Sequence, residues 1–201
     1  AIEAFEPPLG RYSVHETPRG ASYLLDHKAP VWTVPQAIAF VGAARAERRT
    51  IVFGTVSDYP GACAPRYRRI AREALASVDR VIFVGPHAGH VSKLAHGPLR
   101  ERLFSFHTAY EASQFLRQTT VPGELILLKG STRVDHLERI VLSQLDDVVC
   151  WKESCGKVKF CPGCKRYRRP STPYALSAAY DKAALTGPAP ESYEPAAKLR
   201  T

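Results

Sequence analysis

The sequence predicts an α/β fold built on a doubly wound, mostly parallel, Rossmann-like sheet. A C-terminal zinc knuckle and an irregular tail are expected after it. Apolar runs of strand length near residues 50–54, 80–85, 103–107 and 125–128 alternate with helical patterns. These runs are apolar enough to be covered on both faces, as parallel strands are. Beyond the last helical pattern, Cys150, Cys155, Cys161 and Cys164 fall within 15 residues.

The elements follow in order. Residues 11–17 and 21–25 read as short strands around a Pro18-Arg19-Gly20 turn. Pro35 suits the first turn of a helix running to about Arg45. Thr50 to Gly54 is a buried strand ending in glycine, and a loop from Thr55 to Cys63 follows. Ala64-Pro65 opens a helix. Its apolar positions Tyr67, Ile70, Ala71, Ala74, Leu75 and Val78 recur at helical spacing, with Arg66, Arg68, Arg69 and Arg72 facing away. Arg80 to Gly85 and Leu103 to His107 read as strands, and Ala109 to Arg117 as a helix. Leu125 to Leu128 is a strand ending in Lys129-Gly130-Ser131, and a helix is expected over 133–145. Lys129, Ser131 and free backbone N–H groups would then sit at a helix N-terminus, where a carboxylate is well received. Folds of this class bind ligands at the carboxyl ends of their strands. Here those ends are Asp26, the Gly54–Gly61 loop, Gly85-Pro86-His87 and Lys129-Gly130-Ser131.

Composition narrows the function. The chain has 201 residues, enough for one domain with an appendage. The expected division is an α/β domain over 1–148, a cysteine knuckle over 149–169 and a Pro/Ala-rich tail over 170–201. Seven Lys and Arg stand against one acid in 150–169, so that stretch carries two thirds of the net charge of +9. The basicity is local, and a basic nucleic-acid-binding face is not implied. No apolar run is long enough for a membrane span and no signal-peptide pattern opens the chain, so a cytoplasmic protein is expected. Methionine is absent even at position 1, which reads as a chain cut or processed from something longer. No Gly-x-x-x-x-Gly-Lys-Ser/Thr loop occurs, so this chain alone is expected not to turn over ATP.

Five segments in order carry a resemblance to a known family. They are Gly10-Arg11, Asp26-His27-Lys28-Ala29, Phe53 to Asp58, Asp79 to Gly85, and Pro122 to Ser131 with Leu137-Glu138. Over roughly residues 5–145 the chain resembles the C-terminal domain of the Mur ligases, ATP-dependent enzymes that add amino acids to peptidoglycan precursors. The Asp26 segment is similar to the D-glutamate-adding branch, and the later ones to the D-Ala-D-Ala-adding branch. The stretch from Ser131 to Glu138 is one residue longer than the common pattern. The resemblance implies a closing lid of an amide-forming ligase. Arg11, Asp26 and Lys28 would meet ATP and Mg²⁺ held by a P-loop domain, upstream or in a partner chain. Lys129, Ser131 and Asp58 would receive an amino-acid or peptide substrate. Beside this stand two other readings, a ligase-derived binding module without catalysis and a zinc-ribbon binder of nucleic acid.

The cysteines are a separate signal. Cys161-Pro162-Gly163-Cys164 is a tight turn that presents two thiolates to one metal, and four thiolates suit tetrahedral zinc. Such a site has no open ligand position and reads as structural. Disulfides, free thiols and an iron–sulfur cluster are the alternatives. The surrounding Lys and Arg would offset the negative charge of the bound thiolates. The competing explanation of that basic cluster is an anionic polymer, with Trp151 and Tyr167 as stacking residues. His87 and His90 sit in a glycine-rich loop and read as ordinary loop residues, and Cys63 stands apart from the other cysteines.

Overall fold

The computed structural model describes residues 10–131, 134–153, 155–156 and 160–167. The strands are β1 (Arg11–Glu16), β2 (Ser22–Asp26), β3 (Arg48–Phe53), β4 (Arg80–Val84), β5 (Leu103–Phe106) and β6 (Glu124–Lys129). The helices are α1 (Val34–Gly42), α2 (Cys63–Leu75), α3 (Ala109–Thr119) and α4 (Glu138–Leu145). One six-stranded sheet forms in the order β1-β2-β6-β3-β4-β5. β1 pairs antiparallel with β2, and every other pairing is parallel.

Alternation along the strands sorts side chains into two layers. Leu24, Ile51, Phe53, Val81, Phe83 and Leu127 point to one face, where α1 and α2 cover them. Tyr23, Leu25, Val52, Ile82, Ile126 and Leu128 point to the other, under α3 and α4. Both faces of β3, β4 and β6 are therefore apolar, which is why these strands read as continuous apolar runs.

The amino ends of the central strands hold an ionic network instead. Glu124 is fully buried, and Arg48 and Arg80 pair with its two carboxylate oxygens at 2.6 and 2.7 Å. The Thr50 hydroxyl donates to the same carboxylate at 2.5 Å. Burial pulls the Arg80 guanidinium down to about 10, against the pull of Glu124.

Two expectations change. The last helix begins at Glu138 rather than near 133, because Asp135 and His136 occupy a turn and His136 takes a left-handed φ of 48°. Ser131 is therefore not at a helix N-terminus. The cysteine segment also does not hang outside the sheet's packing. Cys161 and Tyr167 belong to the same apolar cluster as Leu137, Ile140 and Val141. The 170–201 tail lies outside the described residues, as do Lys157, Lys159, Arg168 and Arg169 of the basic cluster.

Candidate functional site

The register of the sheet places the sequence's candidates side by side. Arg11 pairs with Asp26, Asp26 with Lys129, and Lys129 with Phe53, in one row across three strand junctions. The Lys129 ammonium is buried and donates to Asp26 Oδ2 at 2.5 Å and to the Lys28 carbonyl at 2.7 Å. Asp26 and Lys129 are thus one ion pair, and a buried ammonium of this kind is stable only with such partners. The Lys28 N–H lies 3.4 Å from Asp26 Oδ1. The side chains of Arg11 and Lys28 are exposed.

Asp58 lies on the next loop. It is exposed, has φ 58°, and accepts a hydrogen bond from the Ser57 hydroxyl at 2.6 Å. Its backbone shape is turn chemistry, as Asp tolerates the left-handed region. The loop is tied to the Asp26 segment, since Ser57 N–H donates to the Ala29 carbonyl and Val31 N–H to the Ser57 carbonyl.

Ser131 is half-buried at the end of β6. Its N–H donates to Asp135 Oδ2 at 2.7 Å. Asp135 was not singled out in the sequence, yet it organises this end of the sheet. It also accepts from the Thr55 N–H at 2.7 Å and the Thr55 hydroxyl at 2.6 Å. Burial raises its pKa, and those hydrogen bonds oppose the rise. A Cβ on Gly54 or Gly130 would overlap the Asp135 side chain. Both strand-end glycines are needed so that one carboxylate can bridge β3 and β6.

The cysteine segment meets the same end of the sheet from below. Phe160 packs on the His27 ring, with centroids 4.7 Å apart. His27 Nε2 is 3.6 Å from Glu138 Oε2, and His136 Nδ1 is 3.3 Å from Glu138 Oε1. His136 Nε2 lies 3.1 Å from Cys155 Sγ. Glu138 is fully buried. Burial alone would push its carboxyl up, but the His136 hydrogen bond and the charges of His27 and His136 bring it below the ordinary value.

Cys150, Cys155, Cys161 and Cys164 all line one cavity of about 50 Å³, together with His136, Arg139, Lys152 and Arg166. Arg139 Nε donates to Cys161 Sγ at 3.1 Å. Burial and the neighbouring Glu138 push the Cys161 thiol up to about 12, against Arg139. Among the described residues, the ligand-type groups within 4.8 Å of one another are His136–Glu138–Cys161 and Cys63–His87–His90; the four sulfurs share a cavity but are not drawn to that spacing. Tyr167 is 1% exposed and cannot serve as a stacking platform. The Trp151 indole is committed to the Val148 carbonyl and packs against Tyr110.

Comparison with solved structures places this architecture. The ligase UDP-N-acetylmuramoylalanyl-D-glutamyl-2,6-diaminopimelate--D-alanyl-D-alanyl ligase from Acinetobacter baumannii superposes with a TM-score of 0.56 at 18% identity, over 73% of this chain and 31% of that one. A second MurF structure from the same organism gives 0.59 at 22%, over 73% and 32%. A murein peptide ligase from Psychrobacter arcticus gives 0.54 at 11%, over 74% and 32%. The fold is Mur-ligase-like. The likeness is one of fold, and this chain spans about a third of the length of those ligases. No protein-family profile and no curated protein matches the sequence.

Within the Mur-ligase-like fold, the sequence had marked Arg11, Asp26 and Lys129, and the register gathers them. It missed Asp135, His136 and the burial of Glu138. The available signal was Gly54 and Gly130 at two adjacent strand ends, since paired glycines mark a close approach to their backbones. No helix of the described residues is long and apolar enough to cross a membrane.

Proposed function

We propose that this chain is the C-terminal lid and substrate-binding part of an ATP-dependent, amide-bond-forming ligase of the Mur type. ATP and Mg²⁺ would be held mainly by a P-loop domain, upstream or in a partner chain. One observation supports this above the others: Arg11, Asp26 and Lys129 share a single register row at the strand ends, with Lys28 exposed beside them.

The row divides into a fixed part and a reaching part. Lys129 holds the Asp26 carboxylate in place, so Asp26 can accept a hydrogen bond from a nucleotide hydroxyl without first being ordered. Lys28 and Arg11 are exposed cations that close onto phosphate charge when the lid shuts. Ser131 and Asp58 flank the opening and receive the incoming amino acid or peptide, its carboxylate at Ser131 and its amine at Asp58. Lys129 contributes to that pocket through Asp26 and the β6 end, because its ammonium is enclosed. Catalysis then rests on positioning and charge stabilisation.

Zn²⁺ is assigned to Cys150, Cys155, Cys161 and Cys164. The residues present fit it: four soft donors around one small cavity, with Arg139, Lys152 and Arg166 to offset thiolate charge. Held by these four thiolates, the ion would cross-link the segment. The role is structural, holding Phe160 against His27 beside the Asp26 row.

The test is steady-state kinetics of the ligase assembled with its P-loop domain. Lys28→Ala should slow the first, phosphoryl-transfer step. Ser131→Ala should chiefly raise KM for the amine. Unchanged kinetics in both variants would overturn the lid reading and leave a binding module without catalysis.

A further inference from the structure

Three residues that the sequence left apart come together at the carboxyl end of the sheet, away from the Asp26 row. Cys63 is the first residue of α2, and His87 and His90 follow the end of β4. Their ligand atoms all lie within 4.8 Å of one another, and all three side chains are half-buried. We propose that Cys63, His87 and His90 form a binding site for a Zn²⁺-class ion, independent of the four-cysteine cavity. The proposal does not rest on the ligase reading.

The local structure explains the convergence. His87 is the residue before a 3₁₀ helix that spans Ala88–Leu94, and His90 is its third residue. In a 3₁₀ helix, residues three apart eclipse one another. The two imidazoles accordingly stack, 17° from parallel with centroids 5.7 Å apart. Tyr67 supports both rings from behind, at 5.5 and 6.1 Å between centroids. Its hydroxyl is pinned by the Val56 N–H at 2.9 Å, so the support is rigid.

The third ligand is matched to the first two. Cys63 opens a 13-residue helix, which brings its sulfur within 4.8 Å of ligand atoms of both imidazoles. The Tyr59 hydroxyl lies 2.5 Å from Cys63 Sγ, and Arg66 sits over the Tyr59 ring at 5.7 Å. Such an outer partner orients a ligand and tunes it. One thiolate and two imidazoles suit zinc and exclude the hard, oxygen-seeking Mg²⁺. Three protein ligands at a half-exposed position leave the fourth tetrahedral place to water or to a group of an arriving molecule. The four-cysteine cavity has no such open place.

The experiment is a zinc count with the full chain. Protein stripped of metal is equilibrated with excess Zn²⁺, freed of unbound ion by gel filtration, and measured by elemental analysis. Cys63→Ser and His90→Ala should each bind one equivalent fewer than the parent, whatever the four cysteines hold. Co²⁺ loading should show a band of thiolate-to-cobalt charge transfer that weakens in Cys63→Ser. Tyr59→Phe, which removes only the outer hydroxyl, should weaken Zn²⁺ binding about 10- to 100-fold. His90→Ala guards against a folding defect in Cys63→Ser, since circular dichroism identifies an unfolded variant. Equal zinc content in the parent and both folded variants would overturn the proposal.

Discussion

Asp135 does more than any other single residue to shape the strand ends. Its carboxylate takes three hydrogen bonds from Thr55 and Ser131 and sits in space that Gly54 and Gly130 leave open. Asp135→Ala would leave the N–H groups of Thr55 and Ser131 without partners, at a cost of about 1–3 kcal/mol. Gly54→Ala should destabilise by a similar about 1–3 kcal/mol, because its methyl group and Asp135 compete for one place. Urea melts of the two single variants and the double variant check both values. Non-additivity is expected, since the two changes act on one contact. At the opposite end of the sheet, Glu124→Ala would leave the buried Arg80 and the half-buried Arg48 without their carboxylate, and should cost about 3–5 kcal/mol. A loss below 1 kcal/mol by the same melts would mean that water reaches the network. None of this was legible in the sequence. An acid in a loop and an acid at a strand start look like surface residues until the fold closes over them.

At the scale of elements, the strands were the most legible part. Their apolar runs are long, and coverage on both faces leaves little else that such runs can be. The β1–β2 hairpin was visible from Pro18 and Gly20 around a turn. Helix ends were less so. Glu111 and Thr108 form a capping box that fixes the start of α3, with Thr108 Oγ1 accepting from the Glu111 N–H at 3.1 Å. The start of α4 was misplaced because apolar spacing continues back through Val134, while Asp135 and His136 spend their backbones on a turn. The cysteine segment reads in the sequence as a separate metal motif, and its packing into the core was not legible there. Because Cys161 packs with Leu137 and Ile140, Cys161→Ser should destabilise the whole domain, by about 1–3 kcal/mol, rather than loosen one loop. A single cooperative melt shifted to lower temperature is expected. A local loss of protection in 150–167 with an unchanged melt would contradict it. Chelation of the Zn²⁺ proposed for the four cysteines should move the melt in the same direction.

For the molecule as a whole, the sheet order assembles the candidate site. Inserting β6 between β2 and β3 sets Asp26 beside Lys129, although 103 positions separate them in the chain. Sequence motifs named the candidates, but only the register shows that Lys129 is paired with Asp26. The proposed lid divides the labour: exposed Lys28 and Arg11 on this chain, and the phosphate-cradling loop on the domain it would close onto. The most direct test is to measure amide formation and ADP release with this chain alone, with the P-loop domain alone, and with both together. Amide formation and ADP release by the pair, and by neither component singly, is the predicted result. ATP turnover by this chain alone, or no amide product from a pair shown to bind each other, would contradict it.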